Sequence, residues 1–134
     1  MLDDKTSRSE ERIGETDLSK KTGVAHFFAA ARYSSQGFQR LLGEAAFRHE
    51  LLAFVVLVIL FALTGAVLAQ YVILLVLALV LFAVEALNTA VEEIVDRVSP
   101  EFSTVARHAK DLGSFAVFCL LIANGVFAAS VVFF

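Results

Sequence analysis

Charge is missing where this chain runs longest. Of its 134 residues, Leu51 to Val84 and Leu112 to Phe134 contain no Asp, Glu, Lys or Arg, so the 11 basic and 14 acidic side chains are crowded into the remainder. Apolar runs longer than about 18 residues read as bilayer spans, and a uniform soluble domain is excluded. Cysteine is nearly absent as well. The single Cys119 lies inside the second run, which excludes a disulfide framework and a cysteine metal cluster; it reads as a small apolar packing residue. No apolar segment of about 7 to 15 residues precedes the first run, so a cleavable signal peptide is not expected. The net charge is -3 and no basic stripe of the kind nucleic acid requires is present, so nucleic-acid binding is not expected either.

What is there is a set of apolar spans with polar borders. The first run holds 34 residues; as one helix at about 1.5 Å per residue it would reach about 51 Å, against a hydrocarbon core of about 30 Å. It must fold back, and the weak point for helix is Thr64-Gly65, with Gln70 shortly after. This predicts spans over about 44–63 and 67–98, the second with a polar extension, and a third over 112–134 interrupted by Gly113, Asn124 and Gly125. Residues 1–22 are polar with little to bury and read as a disordered tail. Between tail and first span, Val24, Phe27, Phe28, Ala31, Phe38, Leu41 and Leu42 share one helical face, and Arg32, Gln36, Gln39 and Arg40 share the other. That pattern predicts an interfacial amphipathic helix over about 24–42, lying in the headgroup plane or packed on its own bundle. The fold class is an all-α membrane protein, with residues 23–134 as one membrane-embedded domain.

Eight of the eleven basic residues precede the first span and three (Arg97, Arg107, Lys110) lie between the second and third. The N-terminal segment and residues 85–111 are therefore expected on the cytoplasmic side, with the hairpin tip and C-terminus opposite.

Polar chemistry gathers in Glu85 to Asp96. On a helical wheel Asn88, Thr89, Glu92 and Asp96 fall within about 60° of Glu85, while Leu87, Ala90, Val91 and Ile94 line the other side and Glu93 is expected to be solvated. Glu85 ends the charge-free run, after the fourteen residues Tyr71 to Val84 that follow Gln70. An acid at that depth is a functional-site hypothesis by default, as a proton acceptor or the partner of a cation. Glu44 and Arg48 form an i, i+4 pair at the head of the first span, with His49 and Glu50 just beyond. Beside the Glu85/Glu92 face, Glu44 would complete a hard-oxygen cluster on separate helices, which suits Mg²⁺ held together with substrate phosphates. Arg107-His-Ala-Lys-Asp111, on the connection into the third span, adds positive charge where phosphates would need it.

The runs Glu-Ala-Leu-Asn-Thr-Ala-Val-Glu (85–92), Val-Asp-Arg (95–97) and Ala-Lys-Asp-Leu-Gly-Ser (109–114), with Glu-Ala-Ala-Phe-Arg-His-Glu (44–50) and Ala-Arg-Tyr-Ser (31–34) upstream, resemble the prokaryotic integral-membrane diacylglycerol kinase family. The resemblance covers about Gly23 to the C-terminus. It implies a small homotrimer of the bacterial inner membrane that transfers the γ-phosphate of ATP to a lipid hydroxyl, with no Walker loop and no glycine-rich strand-helix turn in the chain. By the same resemblance Glu85 is the general base, and Glu44 and Glu92 hold Mg²⁺ against ATP. Lys110 neutralises charge on the transferred group, Asp96, Asp111 and Arg32 belong to the nucleotide side, and Asn88, Ser114 and Arg48 to the lipid side. Two positions depart from the family pattern: Ala29 stands after Phe27-Phe28 where a lysine is common, and His108 beside Arg107 where arginine is common two residues before the lysine. Either Arg32 or Arg107 compensates, or nucleotide affinity is lower.

The motifs favour diacylglycerol as substrate, with undecaprenol as the alternative lipid. A reading of another class, a non-enzymatic three-span subunit or small cation or proton transporter, would use Glu85 alone. It leaves Asn88 and Glu92 without a purpose and has no need of Lys110.

Overall fold

The computed structural model of the chain describes residues 24–101 and 103–134. The polar tail expected over 1–22 lies outside the described residues. Those that are described form four helices: α1 (Val24–Leu41), α2 (Ala45–Thr64), α3 (Leu68–Val98) and α4 (Thr104–Phe133). No strand occurs among them. The last three are long and apolar enough to cross a membrane.

The described residues divide into two units, one ending at Gln36 and the other Gly37–Phe134. In the first, Phe27 and Phe28 meet edge to face with ring centroids 6.0 Å apart, and both are exposed, as is Tyr33.

In the second unit each turn has a local cause. After Leu41 the chain turns at Leu42-Gly43, and the Arg48 guanidinium reaches back to donate to the carbonyls of Leu42 (3.1 Å) and Gly43 (2.9 Å). Glu44 is extended and leads into α2 without capping it through its side chain. Helix α2 ends where Gly65 takes the left-handed conformation (φ 76°), which costs glycine least, and the amides of Gly65 and Ala66 both donate to the Phe61 carbonyl. The Gln70 side chain then accepts from the Val67 amide (2.8 Å), closing the first turn of α3.

Two helices are longer than a span needs. The 31 residues of α3 extend about 46 Å at 1.5 Å each, so its last turns project beyond the apolar layer; Ser99-Pro100 ends it, since proline cannot continue the ladder. Helix α4 begins at Thr104, well before the expected Leu112, because the Ser103 hydroxyl accepts from the Ala106 amide and caps it. Arg107 to Asp111 thus stand on the first turns of a helix and not on a loop. None of Gly113, Asn124 and Gly125 breaks α4.

The core is narrow and aromatic. Phe61, Leu74 and Ala128 join the three spans near the hairpin, with Tyr71 and Phe127 edge-on to Phe61 (centroids 5.9 and 6.0 Å). Toward the polar end Phe47, which is 1% exposed, sits between Phe38 and Phe82 (5.8 and 5.2 Å). The outer faces remain apolar and exposed, as at Leu52, Ile59, Val72, Leu79 and Ile122. Lipid is the solvent such faces require. Cys119 is on the exposed side of α4, so it faces outward and is not the packing residue expected of it. In the apolar middle Asn124 is buried, and its carboxamide nitrogen donates to Leu120 O on its own helix (2.9 Å) and Leu77 O on α3 (3.4 Å).

Candidate active site

Helices α2, α3 and α4 meet around a groove of about 390 Å³ at the polar end of the spans, lined by Glu44, Glu85, Asn88, Thr89, Glu92 and Ser114 among others, and closed on its apolar side by Val117, Phe118 and Leu121. The wheel that groups Glu85, Asn88 and Glu92 on one side of α3 explains three of these; Glu44 is presented from the turn before α2, and Ser114 from α4. Glu85 is 5% exposed, so it does not simply end the span in water. Both Glu92 and Glu44 lie within electrostatic reach of it. One turn on, Asn88 donates to Glu92 Oε1 (3.0 Å), while Asn88 Oδ1 is buried and accepts no hydrogen bond.

The expected Glu44–Arg48 pair does not form. Glu44 Oε1 pairs instead with Arg40 (2.6 Å), whose guanidinium also binds Glu93 Oε1 through Nε (2.7 Å) and its second terminal nitrogen (2.6 Å). Arg48 is occupied with the carbonyls of the turn. Glu93, expected to be solvated, is exposed yet ties the end of α1 to α3. The hydrogen bonds to Glu44 and then Glu93 hold the Arg40 guanidinium above its already high ordinary pKa, so it stays charged.

The other predicted residues form a neighbouring groove of about 420 Å³ around the α3–α4 connection, lined by Asp96, Ser99, Glu101, Arg107, Lys110 and Asp111 with others. There Lys110 Nζ is hydrogen-bonded to Asp96 and Arg107 Nε faces Asp111 Oδ2 (3.5 Å). Asp96 shares the Glu85 face on the wheel, yet it opens onto this second space because α3 has by then passed the end of α2. Arg32 lies on α1, in the unit that ends at Gln36.

Glu50 is the residue the sequence reading passed over. It is 8% exposed, its Oε2 is buried without a hydrogen-bond partner, and it lies within electrostatic reach of Glu85. A signal was available: Phe47, Glu50, Phe54 and Phe61 recur at helical spacing, which puts a carboxylate on the buried stripe of α2.

Among the described residues no three Asp, Glu, His or Cys side chains close on one point as a ready-made metal cage. The groove offers an open oxygen set on two helices, with the orphaned Asn88 oxygen beside it. Such a set suits a hard cation that keeps waters and takes further oxygens from substrate phosphates.

The family described as prokaryotic diacylglycerol kinase matches residues 32–132, which include both grooves. The chain belongs to that family. Relatives named diacylglycerol kinase include one from Sinorhizobium sp, 59% identical over 124 residues covering 92% of this chain and 90% of the relative. Another from Haemophilus influenzae is 34% identical over 118 residues, covering 87% and 100%. A third, from Pseudomonas aeruginosa, is 38% identical over 102 residues, covering 75% and 83%. As a member of the diacylglycerol kinase family the chain carries its charged site on membrane-spanning helices, with no nucleotide-binding sheet among the described residues.

Proposed function

We propose that this chain transfers the γ-phosphate of ATP to the free hydroxyl of diacylglycerol, giving phosphatidic acid, at the cytoplasmic face of the bacterial inner membrane. The observation that carries the reading is the burial of Glu85 at the end of a charge-free span, inside a groove it shares with Glu44, Asn88, Glu92 and Ser114. Family membership supplies the reaction class, and the groove supplies a place for it.

Glu85 accepts the proton of the lipid hydroxyl as its oxygen bonds to the γ-phosphorus and the bond from phosphorus to the ADP oxygen breaks. Burial keeps bulk water from competing with the lipid for the phosphoryl group. Glu44 and Glu92 would hold Mg²⁺. When bound, that ion neutralises phosphate charge and aligns the transferred group. Asn88 orients Glu92, and Ser114 faces the lipid head across the groove. Lys110, with Asp96 and Asp111, serves the phosphate side from the neighbouring groove, where cationic hydrogen-bond donors offset developing negative charge. Arg48 donates to the carbonyls of the turn before Glu44; the family resemblance assigns it to the lipid side and Arg32 to the nucleotide side. A site at this depth lets the lipid stay in the bilayer while ATP stays in water.

The positive charges before α2 and between α3 and α4 support the cytoplasmic assignment. The exposed apolar faces of the spans are compatible with association, and the homotrimer implied by the family resemblance is part of the proposal; cross-linking in native membranes that stops at three copies would bear it out. The main test is phosphorylation in mixed micelles with Mg²⁺-ATP, comparing diacylglycerol with undecaprenol. Labelled phosphatidic acid is expected. Failure to phosphorylate either lipid would end the reading, and preference for undecaprenol would replace the substrate.

A further inference from the structure

Gly113 stands in the motif Ala-Lys-Asp-Leu-Gly-Ser, on the side of α4 that meets α3 at Asn88. A Cβ built on Gly113 would collide with Asn88 Oδ1 and come within 3.2 Å of its Cγ. The collision is with the body of a short side chain, so any residue other than glycine displaces the carboxamide. That carboxamide is engaged at its other end: Nδ2 donates to Glu92 Oε1 at 3.0 Å, and Oδ1 is buried against α4 with no donor. Glycine is also a poor residue for the interior of a helix, about 1 kcal/mol worse than alanine, and Gly113 has neither a positive φ nor a turn to justify it. The space it leaves is the reason for it.

We infer that Gly113 is a positioning residue: it seats the Asn88 side chain flat between α3 and α4, and through Asn88 it fixes the orientation of the Glu92 carboxylate in the groove. The inference rests on the reading of Glu92 as a metal-holding residue. It assigns to the glycine a role at one remove from the chemistry, like that of outer-shell groups whose loss costs about 10 to 100-fold in metal affinity. Alanine at 113 strengthens the helix itself, so damage from it cannot be put down to helix propensity.

The test is a double-mutant cycle on the full chain in detergent, with wild type, Gly113→Ala, Asn88→Ala and the pair. Two readouts are taken. One is uptake of Mn²⁺ alone, followed by loss of the free-ion EPR signal, and the other is the KM for Mg²⁺-ATP beside the KM for lipid. Gly113→Ala is expected to weaken Mn²⁺ uptake and raise the nucleotide KM by about tenfold, leaving the lipid KM unmoved, and to add nothing in the Asn88→Ala background. Additive effects would overturn the inference, as would a Gly113→Ala chain with wild-type Mn²⁺ uptake. Unfolding of Gly113→Ala with and without Asn88 would also overturn it, by making the glycine a matter of helix contact alone. A wild type that takes up no Mn²⁺ sinks the inference together with the metal assignment. A wild type that phosphorylates no lipid sinks the proposed function, whereas an active wild type with an additive cycle sinks the inference alone.

Discussion

The two grooves at the polar edge differ in how their charges are balanced. Around Lys110 the charges are mostly paired, Asp96 with Lys110 and Asp111 with Arg107, and Asp96, Arg107 and Asp111 are exposed while Lys110 is half-buried. Around Glu85 the balance is missing: among the described residues neither Glu85 nor Glu92 forms a salt bridge, Glu92 is held by a neutral amide, Glu85 is buried, and Arg40 is bound to Glu44 at the mouth and shared with Glu93. An exposed, compensated cluster is near its resting state and contributes little to stability. A buried, uncompensated one costs stability and persists where something else completes it, which in the proposed function is the cation and the acceptor lipid. The apolar middle of the bundle offers a third case, Asn124, a buried polar group satisfied by the helices themselves.

If that comparison holds, removing charge from the Glu85 groove should be far costlier than removing it from the other. Glu85→Gln, nearly isosteric, is expected to lower turnover by about 10² to 10⁴-fold, the span of a lost general base, measured in mixed micelles at saturating ATP and lipid. Next comes Glu92→Gln. The Mg²⁺ concentration giving half-maximal rate should rise by about tenfold or more, with lipid KM unchanged; a shift in lipid KM instead would move Glu92 to the other substrate. For Lys110→Ala we expect about tenfold in kcat/KM for ATP, the worth of one charge-assisted hydrogen bond, and a loss as large as that of Glu85→Gln would dissolve the distinction between the grooves. The smallest effect belongs to Asn124→Ala in the apolar middle. A stability loss of about 0.6 kcal/mol, typical of an interhelical hydrogen bond in a bilayer, should appear in unfolding by SDS, with kinetic constants unmoved.

Much of this was legible in the sequence, for identifiable reasons. Absence of charge marks lipid-facing helix, and Gly65 marks the one place where the first run can turn. The 3.6-residue period sorted Glu85, Asn88 and Glu92 onto one face before any neighbour was known. Partners were harder. Glu44 has an arginine four residues away on either side, and spacing alone cannot choose between Arg40 and Arg48. The choice is made by the turn at Leu42-Gly43, whose freed carbonyls capture Arg48 and leave Glu44 to Arg40. The start of α4 was misplaced because polar residues mark where water begins, not where a helix ends, and Arg107 to Asp111 satisfy both. Glu50 escaped because its neighbours His49 and Arg48 made it look like border charge, although it sits on the stripe of Phe47 and Phe54. The seat that Gly113 provides depends on a contact between helices and has no trace in either helix read alone.

The most direct test of the account is the turnover of Glu85→Gln set beside that of Asp96→Asn, both at saturating Mg²⁺-ATP and diacylglycerol, in preparations shown by circular dichroism and gel filtration to match wild type. The account predicts a Glu85→Gln slowed by about 10² to 10⁴-fold and an Asp96→Asn that keeps most of its turnover and shows its defect only in the KM for ATP. Equal losses, or turnover retained in Glu85→Gln, would contradict it.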